Sequence, residues 1–451
     1  MRFVCSDQSV LLGALAAGAL LLCAGGARGQ VTFTAIPQLA GGSGGNVGAF
    51  IAGYGQFVVG DSDSSNTQGT DMAEGYRFDR YNDPSFGLLG VGAFSTMPFE
   101  SHAAGICADG AFVVGTSVVP VMVGAQSGNQ ARAFFWSQFG GVYNIGIAGA
   151  PAGDLGSSYA YALSGDGGTT VGATTTATSS TLQAFRWQGV ISVLPALAGP
   201  GPSIARAVSF NGAVIVGESA GMPFRWTNTG GAGTTDQIPA LPGAPDGQGA
   251  ALGMNSTGSV VVGRITSPLF VDSSTGTPKP QGTAFRWTAS GIQDLGALPS
   301  SGTQFSEAVG VNNSGLVVVG NSRVSGSMAG GETNEPFVWT PRWGMTSLSS
   351  MLAQVLPSGV TLTSASGISY DGTVIAGTGR DIHSGTSFAY VATIPVYCPS
   401  DQNGNGVVEV QDIFDFLNDW FAGLSRADAN GNGVLEVQDI FDYLNAWFQG
   451  C

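Results

Sequence analysis

The chain has 451 residues, enough for two or three domains or for one large repeat domain with an additional module. Only 10% of the residues are charged, 72 are glycines and 43% are hydrophobic, so the chain can bury a large core and favours short strands and turns over helices. The 30 acidic residues outnumber the 15 basic ones, which argues against a nucleic-acid-binding protein. Two histidines are too few for chemistry that needs a His cluster.

Residues 1–29 have the pattern of a secretory signal peptide. An apolar run of 15 residues, Val10 to Ala24, precedes the small-x-small sequence Ala27-Arg28-Gly29. Such a run is shorter than the roughly 20 residues of a membrane helix. Cleavage before Gln30 would leave an exported mature chain without a transmembrane segment, secreted or held at the cell surface. An uncleaved anchor, or a lipoprotein modified at Cys23, is the alternative.

Three cysteines remain after this cleavage: Cys107, Cys398 and Cys451. An exported chain can form disulfides, and an odd number leaves one thiol unpaired. Cys107 lies inside a strand pattern, so we expect a small buried core residue and not a nucleophile.

A strand-turn-strand phrase that ends in Gly occurs seven times along the chain. These closing glycines are 45 to 57 residues apart, at Gly60, Gly115, Gly172, Gly217, Gly263, Gly320 and Gly377. An aromatic phrase such as Phe-Arg-Trp follows each of them, and most copies then add a further strand-like segment. Each unit therefore contains about four strands.

Units of about 50 residues with four strands each are typical of propeller blades. Turn dipeptides such as Asp109-Gly110 and Asn211-Gly212 suit tight hairpins between the first two strands of a unit. We therefore predict an all-β fold over residues 30–394, a seven-bladed β-propeller of four-stranded blades. An open β-solenoid and a pair of sandwiches are the alternatives.

The two ends of the repeat region complement each other. The last unit stops after Tyr390 without its final strand, whereas Val31 to Leu39 reads as a final strand with no unit before it. Donation of this strand to the last blade would close the ring and remove two free edges.

The repeats resemble the bacterial extracellular HAF repeat, named for a His-Ala-Phe triplet. In this chain Gln183-Ala184-Phe185 and Thr283-Ala284-Phe285 occupy the place of the triplet. The resemblance covers roughly residues 31–394 and implies export and β-architecture, but no reaction.

Long segments follow the closing glycine and the last strand of several units, for example Thr116 to Gln130, Arg264 to Gly282 and Leu241 to Gly249. In a four-stranded blade both sets of loops lie on one face, which could bind a glycan or protein ligand or carry surface insertions of no consequence. Three acidic residues of the first such segment could meet a cation or simply be solvated: Asp61, Asp63 and Asp71.

Residues 395–451 contain two copies of a twelve-residue loop, 27 residues apart. Loop positions 1, 3, 5, 7, 9 and 12 supply the oxygens that bind calcium, and glycine at position 6 allows a sharp turn. The first copy predicts ligands at Asp401, Asn403, Asn405, the Val407 carbonyl, Glu409 and Asp412. The second copy predicts them at Asp428, Asn430, Asn432, the Val434 carbonyl, Glu436 and Asp439. We therefore predict two Ca²⁺ ions.

A nearly identical amphipathic helix is predicted after each loop, Val410 to Phe421 and Val437 to Phe448, and no helix precedes either loop. The first helix is expected to carry one apolar stripe, formed by Ile413, Phe414, Leu417, Trp420 and Phe421. This all-α segment has Cys398 before its first loop and Gly450-Cys451 after its second helix. It resembles a GC-type dockerin domain.

The dockerin resemblance implies a calcium-dependent module that docks to a cohesin-like or cell-surface protein. Loop positions 10 and 11, which are Val410-Gln411 and Val437-Gln438, would help meet the partner. Asn at position 5 of both loops, where Asp is common, implies weaker calcium binding. Because dockerin halves pack face to face, the resemblance also implies a Cys398–Cys451 disulfide, unless Cys451 is a free thiol for covalent attachment.

Together these features predict an exported, non-enzymatic binding or scaffold protein that is docked through its C-terminal module. The alternative is a propeller glycoside hydrolase, or another polysaccharide-processing enzyme, that carries a dockerin. Glycoside hydrolysis needs paired carboxylates. The acids of the repeat region show no motif that pairs them: Glu74, Asp79, Glu218, Glu307 and Glu335.

Overall fold

The computed structural model describes residues 31–449 apart from 43, 68–71, 83–86, 97–98, 124–125, 150–155, 198, 200, 245, 268–281, 300–304, 326–331, 396, 404–407 and 431–433. Its strands form seven antiparallel sheets of four strands each. The predicted seven-bladed propeller is thus confirmed, and the solenoid and sandwich alternatives are wrong. No helix in the described part of the chain is long and apolar enough to cross a bilayer.

Within each blade the strands follow one another from the axis outward. Blade 1 contains β2 (Asn46–Ile51), β3 (Phe57–Ser62), β4 (Glu74–Asp79) and β5 (Leu88–Gly90). Blade 2 contains β6 (Ser101–Ile106), β7 (Phe112–Val123), β8 (Gln126–Ser137) and β9 (Gly141–Asn144). Blade 3 contains β10 (Ser158–Leu163), β11 (Thr170–Thr176), β12 (Ser179–Trp187) and β13 (Ile191–Val193). Blade 4 contains β14 (Ser203–Val208), β15 (Val214–Ser219), β16 (Met222–Thr227) and β17 (Thr234–Gln237).

Blade 5 contains β18 (Gly249–Met254), β19 (Val261–Thr266), β20 (Gly282–Thr288) and β21 (Gly291–Gly296). Blade 6 contains β22 (Ser306–Val311), β23 (Val318–Ser325), β24 (Glu332–Thr340) and β25 (Gly344–Ser347). Blade 7 contains β26 (Val360–Ile368), β27 (Val374–Asp381), β28 (Ser387–Thr393) and, outermost, β1 (Thr32–Ala35). The helices are α1 (Leu348–Met351), α2 (Val410–Phe421), a 3-10 turn (Ser425–Ala427) and α3 (Val437–Gln449).

The strand β1 closes the ring, as the sequence predicts. It pairs antiparallel with β28, from Thr32 opposite Thr393 to Ala35 opposite Tyr390. The Phe33 ring stacks on the Tyr390 ring with 5.6 Å between their centroids. The first and last parts of the propeller are therefore held together by one shared sheet.

A β-bulge in every innermost strand explains the closing glycines. In blade 4, Ala205 and Ala207 pair with Gly217 and Val216, so Arg206 is an extra residue without a partner. A Cβ atom on Gly217 would lie 1.9 Å from the carbonyl oxygen of Ile204, which only glycine avoids. In blades 2 to 7 the extra residues opposite the closing glycines are Ala104, Tyr161, Arg206, Leu252, Val309 and Ser366.

Arginines of the aromatic phrases join neighbouring blades. Three of them donate from Nε to the carbonyl of a hairpin-turn glycine in the next blade. The three pairs are Arg77 with Gly110 at 2.7 Å, Arg225 with Gly258 at 3.2 Å and Arg286 with Gly315 at 2.7 Å. A repeated inter-blade hydrogen bond thus accounts for a repeated sequence phrase.

The propeller has two distinct faces. The start of each innermost strand pairs with the end of the second strand, as Asn46 does with Ser62, so the loops before the first and after the second strand share one side. We call this side the loop face. The hairpins between the first and second strands lie on the opposite side, which we call the turn face. The strand β28 ends at the turn face, and the chain enters the C-terminal module there.

Candidate functional site

The two predicted calcium loops begin and end at buried carboxylates. Asp401 and Asp428 are 9% and 7% exposed, and Asp412 and Asp439 are 0% exposed. The predicted ligands Asn403, Glu409, Asn430, Val434 and Glu436 also lie in the described part of the chain, whereas Asn405, Val407 and Asn432 lie outside it. No group of three or more His, Cys, Asp or Glu side chains suited to a metal occurs among the described residues.

The last residue of each loop gathers the loop through its carboxylate. The Asp412 side chain accepts hydrogen bonds from the backbone N–H of Asn403 at 3.0 Å and of Glu409 at 2.9 Å. The second copy repeats this arrangement, because Asp439 accepts from Ala429 at 3.1 Å and from Glu436 at 2.8 Å. Each aspartate therefore caps its helix and also draws the beginning of the loop toward its end.

Burial is the main cause that raises the pKa of Asp439, and the nearby negative charge of Asp428 raises it further. The first and last carboxylates of the second loop are thus close enough to repel each other. Two buried acids in this relation are stabilised by a cation between them.

The two halves of the module exchange equivalent hydrogen bonds. The indole nitrogen of Trp420 donates to the carbonyl of Glu436 at 3.1 Å. The indole nitrogen of Trp447 donates to the carbonyl of Glu409 at 3.0 Å. Each helix therefore holds the end of the other half's loop, in an approximate twofold arrangement.

The prediction of one apolar stripe on the first helix is wrong in part. Ile413, Leu417 and Trp420 pack against the module core, but Phe414 and Phe421 are 57% and 77% exposed. The module core also contains Phe416 and Tyr443, which are not among the predicted stripe residues. Helical spacing could have identified Phe416, since it lies three residues after Ile413 and four before Trp420 on the same face.

The exposed positions repeat in both helices. Val410, Phe414 and Phe421 lie on one side of α2, separated by four and seven residues. Their counterparts in α3 have nearly the same exposure. The six exposed fractions are 57% for Val410, 57% for Phe414, 77% for Phe421, 58% for Val437, 57% for Phe441 and 78% for Phe448. We call these six residues the duplicated apolar surface. It contains Val410 and Val437, which the dockerin resemblance places at the partner.

The module contacts the turn face of the propeller. Arg342, in the turn between β24 and β25, donates a hydrogen bond to the carbonyl of Asp401, the first residue of the first loop. Next to it, the rings of Trp343 and Tyr397 meet edge to face with 5.9 Å between centroids. Burial is the main cause that lowers the pKa of Arg342. The loop face lies on the other side of the propeller, away from these contacts.

One long loop predicted for the loop face is in fact a hairpin. Thr116 to Gln130 continues β7 and β8, which pair from Phe112 with Ser137 to Val123 with Gln126. The apolar run Val118 to Val123 forms one strand of this hairpin, so the prediction of a loop is wrong. Most of Arg264 to Gly282 lies outside the described residues, and Leu241 to Gly249 is irregular where it is described.

Of the acidic residues predicted to meet a cation or be solvated, Asp61 and Asp63 make hydrogen bonds within the propeller. The Asp61 carboxylate lies 2.8 Å from His102 Nδ1 and accepts from the backbone N–H of Ala103 at 3.0 Å. These contacts join blade 1 to blade 2. Asp63 accepts from the backbone N–H of Gly44 at 2.6 Å, and Asp71 lies outside the described residues.

The acids considered for hydrolysis are dispersed. Glu74 and Asp79 lie at the two ends of β4, Glu218 lies in β15 of blade 4, and Glu307 and Glu335 lie in blade 6. Among the described residues that line the axial cavity of the propeller, none is Asp or Glu. These positions supply no observation in favour of a carboxylate pair.

Cys107 is a core residue, as expected. It is 1% exposed and packs with Val114 and Leu163 between blades 2 and 3. Burial is the main cause that raises the pKa of its thiol to about 11, so it is a poor nucleophile at neutral pH. Cys451 lies outside the described residues, so its predicted disulfide with Cys398 stays a prediction.

No protein-family model matches the chain, and no curated protein matches it. Several solved structures are similar over most of its length. A putative TolB from Agrobacterium tumefaciens is 15% identical, with a TM-score of 0.33, over 78% of this chain and 91% of that one. The β-propeller domain of the Trilobed protease from Pyrococcus furiosus is 6% identical, with a TM-score of 0.45, over 78% and 94%. The Cps50 (Swd1) β-propeller domain from Myceliophteria thermophila is 10% identical, with a TM-score of 0.42, over 78% and 97%.

Proposed function

We propose that this chain is an exported, non-enzymatic binding or scaffold protein. Its propeller, of the HAF-repeat type, holds a ligand. Its C-terminal segment is a dockerin-like module that two Ca²⁺ ions order and that docks to a cohesin-like or other cell-surface protein. The observation that carries this proposal is the duplicated apolar surface.

Six valine and phenylalanine side chains that stay exposed in equivalent positions are costly in water and contribute little to the fold. Exposed apolar patches of this kind mark protein interaction sites. Aromatic residues are enriched at the centres of interfaces. Because the module contacts the turn face through Arg342, a partner held by the module would leave the loop face of the propeller accessible.

The donor groups of the two loops suit calcium, which prefers carboxylate, amide and carbonyl oxygens. Asp401, Asn403, Glu409 and Asp412 would hold one ion, and Asp428, Asn430, Val434, Glu436 and Asp439 the other. Asn405, Val407 and Asn432 would complete the two sets. The ion would neutralise the buried carboxylates, and the chain itself caps each helix through Asp412 and Asp439.

The proposal is tested by retention of the purified mature chain on intact cells of its producing organism, with calcium and with a chelator. The double variant Phe414→Asp with Phe441→Asp should lose the calcium-dependent retention, because it places charge in both halves of the duplicated apolar surface. Each single variant should keep part of it, because the other half is intact.

Phe139→Asp is the matched control, because Phe139 is 99% exposed in a propeller turn outside the module. This variant should be retained like the unmodified protein. Retention of the double variant at the unmodified level would show that the module does not dock through these residues.

A further inference from the structure

The axis of the propeller contains a cavity of about 190 Å³ that residues of all seven blades line. The bulges of the innermost strands supply one side chain from each of six blades: Ala104, Tyr161, Arg206, Leu252, Val309 and Ser366. In each case the residue before the bulge is alanine and the residue after it is alanine or glycine. A bulge re-aims its side chain, so this small-x-small motif makes the central position of each blade face the axis.

Aromatic rings narrow the axis at the turn face. Tyr370 of blade 7 lies across the axis from Phe210 of blade 4, with 6.4 Å between their ring centroids. The Tyr370 backbone is fixed on both sides, because its N–H donates to Gly53 at 2.7 Å and its carbonyl accepts from Asn313 at 2.9 Å. The loop face is therefore the side from which a ligand enters.

One side of the cavity carries a guanidinium group. Among the described residues that line it, Arg206 is the only one with a charged side chain. Glu218, which is not in the lining, holds Arg206 Nη2 at 2.6 Å, and the guanidinium carbon lies 4.9 Å from the centre of the Tyr161 ring. Arg206 Nε is buried and has no hydrogen-bond partner among the described groups.

The other side is aliphatic. Leu252 and Val309 occupy the bulges of blades 5 and 6, and Ile106 of blade 2 also lines the cavity. The cavity thus pairs the Arg206 guanidinium with apolar side chains. Sites for small molecules use a few placed polar groups beside apolar surface.

We propose that this cavity binds a small aliphatic monocarboxylate, with the carboxylate on Arg206 and the hydrocarbon against Leu252 and Val309. Since Glu218 holds Nη2 and Nε is buried, Nη1 is the guanidinium donor that remains for the carboxylate of the ligand. A cavity of about 190 Å³ has room for a short acid. The inference rests on the binding role proposed above for the propeller and names its ligand class.

The test uses isothermal titration of the full mature chain with isovalerate and with isovaleramide, its uncharged counterpart. Isovalerate should bind, and isovaleramide should bind roughly tenfold more weakly or worse, because it lacks the charge. The double variant Arg206→Gln with Glu218→Gln removes the ion pair as a unit and should weaken isovalerate to the level of the amide. Arg264→Gln, in the next blade and outside the lining, is the control and should not alter binding.

Ala104→Tyr provides a second variant that should fold normally, because Tyr161 and Arg206 show that this bulge position accepts large side chains. It should fill the cavity and abolish isovalerate binding. Equal binding of acid and amide, no binding of isovalerate at millimolar concentration, or unchanged binding in Ala104→Tyr would overturn the proposal. Competition by inorganic phosphate as strong as that by isovalerate would also overturn it, since the site would then be a general anion site. Cell retention through the module is measured separately, so either proposal can fail alone.

Discussion

The ring of Phe416 lies flat on the ring of Tyr443, with 4.0 Å between their centroids and 9° between their planes. Both residues are 1% exposed, and each is the seventh residue of its helix. Two copies of one short sequence therefore meet at the same position, across an approximate twofold axis. The Tyr443 hydroxyl also donates to the carbonyl of Ser400 at 2.9 Å, which anchors the beginning of the first loop.

Phe416→Ala should destabilise the module by about 3–5 kcal/mol, the usual cost of removing a buried aromatic ring. The propeller transition in a calorimetric scan should not move, because Phe416 contacts only the module core. Phe414→Ala is the matched control and should leave both transitions in place, since Phe414 is 57% exposed. Equal effects of the two variants would contradict this account of the core.

Removal of calcium should unfold the module and leave the propeller folded, because only the module needs an ion to hold its carboxylates together. In calorimetry, one of two transitions should fall in temperature when a chelator is added. Asp412→Asn and Asp439→Asn should each weaken the response, whereas Asp415→Asn, outside the predicted ligand set, should keep it. If neither transition responds to calcium, the metal assignment is wrong.

His102 should make the stability of the propeller depend on pH. Its hydrogen bond to Asp61 is the main cause that raises its pKa to about 9, above the ordinary 6.5. A group that binds its proton more tightly in the folded state contributes stability that is complete below pH 6.5 and lost as the pH rises through about 9.

Thermal unfolding of the propeller at pH values below and above this window measures the effect. His102→Gln should reduce the difference between the unfolding temperatures at the two pH values. The reduction should be small, because the His102 side chain is 44% exposed. His383→Gln, which removes the other histidine from an exposed turn, should retain the difference. A loss of stability toward low pH that depends on His102 would contradict the sign.

Loss of β1 should open the ring. Deletion of residues 30–40 should lower the unfolding temperature of the propeller, because it exposes the outer edge of β28 and uncovers the ring of Tyr390. Phe33→Ala should destabilise it by up to about 3 kcal/mol. Thr34→Ala, on the exposed side of the same strand, is the control and should have little effect. An unchanged unfolding temperature after the deletion would show that β1 does not close the ring in solution.

Mass spectrometry of the unreduced exported protein tests the Cys398–Cys451 disulfide that the dockerin resemblance implies. A Cys398–Cys451 cross-linked peptide is the expected result. Closure of a loop of about 53 residues would stabilise the module by roughly 4 kcal/mol in the chain-entropy model. An alkylated or otherwise modified Cys451 would instead identify a free thiol used for attachment.

The sequence alone determined the number of blades, the four strands in each and the way the ring closes. These features are local and repeated, because alternating strands, turn dipeptides and closing glycines recur in every unit. It also predicted the two loop-helix copies from their spacing. Its error at Thr116 to Gln130 arose because Pro120 and the small and polar residues after Val123 are also typical of loops, although Val118 to Val123 is an apolar strand pattern.

Only the tertiary structure explained why these residues recur. Gly217 is glycine because the Ile204 carbonyl of the bulge lies where a Cβ would be, and Arg77 recurs as Arg225 and Arg286 because it reaches a turn of the next blade. The inward position of Arg206, the pairing of Asp61 with His102 and the exposure of Phe414 beside buried Phe416 depend on contacts between distant segments. Such contacts are set by the packing of whole blades and helices, and periodicity along one strand or helix does not contain them.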